Sequence, residues 1–355
     1  MNYVKSGAVS AICGAALAAT LGAVPSGGVS AQQASVDGPK VEWLVSLWGQ
    51  RRGLTEGIEK LAEELSETTG GKFTLNLQYG GVLSEPAENI DGLQFGAFEA
   101  AMLCPGYHPE KTPTLSAVEL AMLPITSLQQ RANVMNTYYK HPAVAADLAR
   151  WNTHILMTVV LPGYEIMGSG EVPKSLSDFD GRRVSASTGV GDLMRGIGAS
   201  VAHTPAPEMY QALERGVIDS VVFPWTYAFA SYRLDEVSTW MTDGWQLGAG
   251  HCLLAANMDA YNALPPQYKD LIDASIQPSY DWQFGLYRAA DEKNIAQFQE
   301  EGLVWVELSA EDRTALQDAA APSWQAWVDG MEEKGYPGQE LLDYVLEVAA
   351  SSSGS

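Results

Sequence analysis

Hydrophobic and polar residues alternate along this chain in two periods, one typical of strands and the other of helices. Residues 41–47 form a short β-like run, residues 73–79 alternate between apolar and polar positions, and residues 154–161 are continuously apolar. Between the first two runs, residues 55–68 carry apolar side chains at helical spacing and end at two glycines. A continuous apolar strand suits a sheet that is covered on both faces. The pattern therefore predicts an α/β protein.

The second half of the chain repeats this alternation. We predict further strands at residues 183–186, 218–223, 253–257 and 303–308. A long helical stretch runs from Pro265 to about Glu301, and Pro278 is expected to kink it. Ser309 begins a capping box that opens another helix. The serine-rich end of the chain predicts a disordered tail over residues 349–355.

The beginning of the chain has the pattern of a secretory signal peptide. Lys5 supplies a positive charge, an apolar run of mostly small residues follows from Ala8 to Val24, and Val29-Ser30-Ala31 resembles a cleavage site. We expect residues 1–31 to be removed after Ala31 and the mature protein to be periplasmic. No later stretch is long and apolar enough to cross a bilayer, so we expect no direct membrane insertion.

Composition and motifs narrow the function. The net charge is −22, which argues against nucleic acid as a partner because nucleic acid requires basic patches. The motifs of hydrolases, nucleotide-binding proteins and zinc proteases are missing, and the 5 histidines lack metal-ligand spacing. We therefore expect no catalytic residue, no metal and no cofactor. Cys104 and Cys252 are compatible with a disulfide and equally with two free thiols.

Several segments resemble one protein family in the correct order. They are Ser175-Leu-Ser-Asp-Phe-Asp-Gly181, Glu208-Met-Tyr-Gln-Ala-Leu-Glu-Arg-Gly-Val-Ile-Asp-Ser220, Gly106-Tyr-His-Pro109, Leu120-Ala-Met-Leu-Pro124 and Asn257-Met-Asp-Ala-Tyr-Asn-Ala-Leu-Pro265. Together they look like the dicarboxylate-binding type of substrate-binding subunit in TRAP transporters. The resemblance covers nearly the whole mature chain.

This resemblance implies a two-lobed α/β fold like that of periplasmic binding proteins, with crossing strands and a long helix that spans both lobes. A small organic solute would bind in a cleft between the lobes and pass to the membrane permease subunits. We expect residues 37–160 and about 247–290 in lobe I. Residues 161–246 and about 291–348 are expected in lobe II.

The ligand expectation depends on two departures from the family. Most members hold a substrate carboxylate with an arginine at the end of the strand that here ends at Ser185, and a second arginine is often found where this chain has Glu165. An acid at that place gives a slight preference for an amine or a cationic solute, ethanolamine-like or betaine-like. The alternative is an aliphatic or aromatic organic acid, which requires Arg51, Arg52 or Arg195 to project into the cleft.

We expect the ligand-binding residues at the ends of strands that face the cleft. The candidates are the rings of Trp48, Tyr107, Tyr164, Trp225 and Tyr227 together with Glu165, Ser185, Ser187 and Asn257. For each ring the alternative is packing within the core, and for Asn257 it is the cap of a following helix.

Two other functions remain open from the sequence. A periplasmic sensor could use the same fold to present its ligand to a receptor. An exported α/β enzyme would turn its ligand over instead of releasing it unchanged.

Overall fold

The computed structural model describes residues 36–352, which form two β-sheets with helices packed on their faces. The strands are β1 (Val41–Ser46), β2 (Phe73–Gln78), β3 (Ala100–Leu103), β4 (Thr153–Val159), β5 (Tyr164–Gly168), β6 (Arg183–Ser185), β7 (Ser200–Ala202), β8 (Ser220–Pro224), β9 (Trp240–Asp243), β10 (Cys252–Asn257) and β11 (Val304–Glu307). The helices are α1 (Glu56–Thr68), α2 (Asn89–Phe95), α3 (Leu128–Tyr138), α4 (Pro142–Ala149), α5 (Thr188–Gly196), α6 (Met209–Glu214), α7 (Tyr227–Ser231), α8 (Met258–Asn262), α9 (Pro266–Glu300), α10 (Ala310–Glu333) and α11 (Gly338–Ser351). The predicted signal peptide lies outside the described residues.

The two sheets have mixed topology. The first has the strand order β2-β1-β3-β10-β4, with β1 parallel to β2 and β3 and with β10 antiparallel to β3 and β4. The second has the order β11-β9-β5-β8-β6-β7, in which β5 is antiparallel to β8 and β9. Each sheet thus contains one strand that is antiparallel to both of its neighbours, β10 in the first sheet and β5 in the second. Each of these is the strand that the chain enters directly after crossing from the other sheet.

Two short segments connect the sheets, and the chain crosses a third time through α9, which leads to β11 of the second sheet. Residues 160–163 lead from β4 in the first sheet to β5 in the second, and residues 244–251 lead back from β9 to β10. We call the first sheet with its helices the first lobe and the second sheet with its helices the second lobe. The expected two-lobed α/β fold with crossing strands is confirmed.

Helix α9 connects the two lobes along their side. In the first lobe, the backbone N–H of Thr158 donates a hydrogen bond to the hydroxyl of Tyr280 at 3.1 Å. In the second lobe, the amide of Asn294 donates to the hydroxyl of Thr226 at 3.3 Å. The helix continues through Pro278, and it fills the role of the long helix that the sequence predicts.

Local amphipathic patterns account for individual elements. In α1 the apolar residues at helical spacing, Ile58, Leu61 and Leu65, are all buried, and the helix packs against α9 and β2. Burial of each such side chain contributes about 1.5–3 kcal/mol, which is more than the helix gains from backbone propensity. Among residues 36–352, no helix combines the length and the apolar character needed to cross a bilayer.

The C-terminal helices divide between the lobes. Helix α10 begins at the capping box predicted for Ser309 and packs against α5 of the second lobe. Helix α11 instead packs against α3 of the first lobe, where Leu341 and Val345 are fully buried. The expectation that residues 291–348 lie wholly in the second lobe therefore fails for α11. Residues 349–351, predicted as part of a disordered tail, belong to this helix.

Candidate ligand-binding cleft

A cleft lies between the lobes and contains about 820 Å³ of space, including part of its open mouth. Trp48 after β1 and Tyr107 after β3 line it from the first lobe. Ser187 after β6, Phe223 of β8 and Tyr227 at the start of α7 line it from the second lobe. A solute bound here contacts both lobes, which is the condition for ligand-driven closure.

Aromatic side chains form much of the cleft wall. The rings of Trp48 and Tyr107 meet edge to face with their centroids 5.5 Å apart. Tyr164 and Tyr227 are each 7% exposed and also line the cleft. Tyr164 lies close to the backbone of Gly250, where a Cβ atom would come within 2.4 Å of the tyrosine hydroxyl. The structure thus brings four of the five candidate rings to one cavity.

A disulfide closes the first-lobe side of this cavity. Cys104 follows β3, Cys252 begins β10, and the two form a disulfide across neighbouring strands. Of the two alternatives left open by the sequence, the structure contains the disulfide. Because both cysteines line the cleft, the bond holds the turn carrying Tyr107 against the strand that follows His251.

Arg52 is the cation of the cleft. Its guanidinium lies over the Trp48 ring, 4.4 Å from the centroid. Nη1 donates hydrogen bonds to the backbone carbonyls of Trp48 (3.2 Å) and Gln50 (2.7 Å). Nη2 is buried and has no hydrogen-bond partner among the described residues, and the same is true of Nε1 of Trp48. Two donors on adjacent side chains are therefore available to an acceptor on a ligand.

The turn that places Arg52 requires glycine. Gly49 has a φ of +69°, and a Cβ atom there would lie 2.7 Å from Nη1 of Arg52. Only glycine adopts this backbone conformation freely while leaving space for the guanidinium.

A second charged group of the cleft comes from the first lobe. Glu119 and His251 are 5% and 1% exposed, and both line the cavity. Oε1 of Glu119 lies 3.2 Å from Nδ1 of His251 and accepts a hydrogen bond from the His251 backbone N–H at 3.3 Å. Burial and the Glu119 carboxylate raise the pKa of Tyr164. The acidic side of the cleft is thus next to Tyr164, whereas Arg52 lies next to Trp48.

Glu165 lies outside the cleft, contrary to expectation. It is 2% exposed, and its carboxylate accepts hydrogen bonds from the Thr242 hydroxyl (2.6 Å) and from the backbone N–H groups of Trp245 (3.2 Å) and Gln246 (2.8 Å). Burial raises the pKa of Glu165 to about 7, against the lowering effect of these hydrogen bonds. These hydrogen bonds connect β5, which follows the first crossing, to the beginning of the second crossing segment. The preference for an amine or a cationic solute, which rested on Glu165 facing the ligand, loses its basis.

Two further candidates, Trp225 and Ser185, are also placed elsewhere. Trp225 packs edge to face on Trp305 with a centroid distance of 5.9 Å and lines a separate depression together with Glu165. Ser185 is fully buried, and its hydroxyl accepts a hydrogen bond from the backbone N–H of Thr204 at 3.2 Å. Both side chains therefore serve packing within the second lobe.

Asn257 caps a helix. Its side-chain oxygen accepts a hydrogen bond from the backbone N–H of Ala260 at 3.0 Å, and its amide donates to the carbonyl of Leu93 at 2.7 Å. This is the cap that the sequence offered as the alternative to ligand contact.

The sequence did not assign Glu119 and His251 to the site, and it named Arg52 only as a possible contributor. The signal for Glu119 is a single carboxylate inside an apolar stretch, residues 115–123. Arg52 lies four residues beyond Trp48, after the same strand end. His251 carries no local signal, because only the neighbouring strands of the first sheet bring it to the cavity.

A family model agrees with this architecture. The model of the bacterial extracellular solute-binding proteins, family 7, matches residues 44–330. The chain belongs to this family. Its members are solute-binding proteins of transport systems and not enzymes, so the resemblance to TRAP transporter subunits and the expectation of a non-catalytic protein are both confirmed.

Two relatives of the chain are named as periplasmic binding proteins. The monocarboxylate 2-oxoacid-binding periplasmic protein of Nostoc sp. is 24% identical over 286 residues, which are 79% of this chain and 77% of that protein. A TRAP solute-binding protein from Rhodoferax ferrireducens, solved with benzoate, has a TM-score of 0.79 at 22% identity and covers 88% of this chain and 99% of its own. A marine metagenome TRAP protein specific for aromatic acids, solved with 3-hydroxybenzoate, has a TM-score of 0.79 at 19% identity and covers 89% and 100%. At these identities the solved structures establish the fold.

Proposed function

We propose that this protein is the extracytoplasmic solute-binding subunit of a TRAP-type transporter and that it binds an aromatic organic acid in the cleft. The observation that carries the proposal is a pair of buried donors, Nη2 of Arg52 and Nε1 of Trp48, which have no partner within residues 36–352 and belong to side chains that line a cavity walled by aromatic rings. A carboxylate offers acceptors for both donors, whereas an ammonium group, the form of a simple amine at neutral pH, offers none.

Arg52 is prepared for this role by its other hydrogen bonds. Two backbone carbonyls hold Nη1, so little side-chain freedom is lost when a ligand binds to Nη2. An unsatisfied buried donor destabilises the empty site by about 1–3 kcal/mol, and a charged acceptor relieves this penalty. Arg52 thus takes over the carboxylate-binding role that the family usually gives to the strand ending here at Ser185.

The cleft wall favours an aromatic ligand over a short aliphatic acid. Trp48, Tyr107, Tyr164 and Tyr227 all line the cavity, and aromatic pairs gain about 0.5–1.5 kcal/mol beyond the area they bury. Two structural neighbours are known with benzoate and 3-hydroxybenzoate, which supports the same ligand class.

Delivery to a membrane partner completes the proposal. The ligand would bridge Arg52 of the first lobe and residues of the second lobe such as Tyr227, and the closed form would dock on the permease subunits. The predicted signal peptide over residues 1–31 supports a periplasmic location for the mature chain.

Isothermal titration calorimetry tests the ligand class. We expect binding of benzoate and no binding of ethanolamine, which has no carboxylate. Arg52→Met is expected to weaken benzoate binding by ~30-fold or more, because truncating one partner of a buried charge pair removes about 2 kcal/mol or more. Arg51→Met is the matched control, since that exposed side chain pairs with Glu56 at 2.9 Å outside the cleft. Unchanged benzoate affinity in Arg52→Met, or binding of ethanolamine without binding of benzoate, would contradict the proposal.

A further inference from the structure

The pair formed by Glu119 and His251 gives the cleft a second recognition point. Both side chains are more than nine-tenths buried and line the same cavity as Arg52. Nδ1 of His251 lies 3.2 Å from the Glu119 carboxylate, although the two are not aligned as a hydrogen bond. Nε2 of His251 has no hydrogen-bond partner among residues 36–352. A fully buried imidazole with an unsatisfied nitrogen in a ligand cavity indicates a polar contact that the ligand supplies.

The neighbouring carboxylate determines what kind of contact this is. A negative charge beside Nδ1 favours the tautomer with the proton on that nitrogen. Nε2 then carries a lone pair and accepts a hydrogen bond. The ligand group that meets His251 must therefore donate a hydrogen, and a second carboxylate there would face the charge of Glu119 in surroundings of low dielectric.

The other polar groups near the pair agree with this assignment. Tyr139 lies beside the His251 ring with a centroid distance of 5.9 Å. The hydroxyl of Tyr164 lies next to Gly250 and is influenced by the Glu119 charge. Burial keeps both tyrosines protonated, because it raises the pKa of each hydroxyl. The carboxylate in direct contact with His251 is that of Glu119, and the buried guanidinium of Arg131 also acts on Tyr164, with the opposite sign of charge.

We infer that the natural ligand is an aromatic monocarboxylate that carries a hydrogen-bond donor, such as a phenolic hydroxyl, which donates to Nε2 of His251. This inference rests on the proposed function, because it requires the ligand carboxylate to bind at Arg52. The cleft then recognises two groups of the ligand: Arg52 binds its carboxylate, and His251 accepts a hydrogen bond from its neutral donor. A dicarboxylate is rejected at the Glu119 side.

A ligand series measured by calorimetry on the wild-type protein separates the two claims. The series consists of benzoate, 3- and 4-hydroxybenzoate, 3-aminobenzoate, 3- and 4-methoxybenzoate and isophthalate. At least one hydroxybenzoate is expected to bind about 10-fold more tightly than benzoate, in line with a satisfied buried acceptor. The methoxy compounds, which accept but do not donate, and isophthalate, which brings a second charge, are expected to lose this gain. The amino compound distinguishes a hydroxyl-specific site from one that takes any neutral donor.

The variant His251→Phe locates the effect. The ratio of hydroxybenzoate to benzoate affinity is expected to fall to about 1, because phenylalanine offers no acceptor. His154→Phe is the control and should retain the wild-type ratio. The His154 ring stacks on Tyr261 with a centroid distance of 3.7 Å and does not line the cleft. Glu119→Gln provides a second variant and is expected to restore isophthalate binding.

Each outcome decides one of the claims. Binding of benzoate with no gain from a hydroxyl overturns the donor inference and leaves the proposed function standing. Failure of the whole series to bind overturns the proposed function itself. Equal gains from hydroxyl and methoxy groups show that shape and not hydrogen donation is recognised, and this result overturns the inference even where the His251 variant does not fold.

Discussion

Replacing Glu165 with glutamine is expected to remove a pH dependence of stability while leaving ligand affinity unchanged. Glu165 is buried between the two crossing strands and holds Thr242, Trp245 and Gln246 through its carboxylate. It does not line the ligand cleft. Glutamine has nearly the same shape but no titrating proton, so the substitution isolates the contribution of the charge.

The magnitude follows from the pKa of Glu165. Burial raises that pKa from 4.5 to about 7, so between these pH values the folded protein retains a proton that the unfolded chain has released. The free energy of unfolding therefore falls as the pH rises through this window, and the protonated form is the more stable one. At about 1.4 kcal/mol per pH unit the full effect is about 3 kcal/mol.

Urea unfolding near pH 5 and near pH 7.5 measures this contribution in both proteins. Asp235, whose pKa is raised by burial to about 6, titrates in both and cancels when the two pH profiles are subtracted. Because both titrations are incomplete at these two pH values, we expect the wild type to lose about 2 kcal/mol more than Glu165→Gln over this range. Parallel profiles would refute the buried-charge argument. A loss of benzoate affinity in the variant would show that Glu165 contributes to ligand binding after all.

Two further predictions concern the mature, oxidised chain. Cys104→Ala combined with Cys252→Ala is expected to lower the free energy of unfolding by about 2–4 kcal/mol, because the disulfide joins residues 148 apart in sequence; an unchanged urea midpoint would contradict this. Expression with the native leader is expected to yield a periplasmic protein that begins at Gln32, as read by intact-mass spectrometry, and a cytoplasmic chain that retains residues 1–31 would exclude export.

Much of the fold was predictable because its elements are encoded locally. The spacing of Ile58, Leu61 and Leu65 predicts α1, and the structure buries that face. The placement of α11 was not predictable, since the amphipathic pattern of a helix gives its apolar face but not the surface that covers it. The chain turns back after α10, and Leu341 and Val345 pack on the first lobe.

The candidate site was likewise predictable only in part. Trp48, Tyr107 and Tyr227 follow strand ends, and strand ends on one edge of a sheet converge, so their presence at the cleft could be inferred from order alone. Glu165 also occupies a strand, but its side chain faces the second crossing segment. Which face of a crossing strand meets the cleft depends on how β5 pairs with its neighbours, and a single sequence does not reveal that pairing.

The sequence by itself determined the family, the α/β class, the long helix and the aromatic character of the cleft, because each follows from patterns among residues close together in the chain. Only the tertiary structure decided which charged side chains line the cleft. It buried Glu165 in hydrogen bonds and brought Arg52, Glu119 and His251 into one cavity from segments up to 199 residues apart. Ligand recognition depends on distances between side chains, and these distances are fixed by the packing of sheets and not by the order of residues.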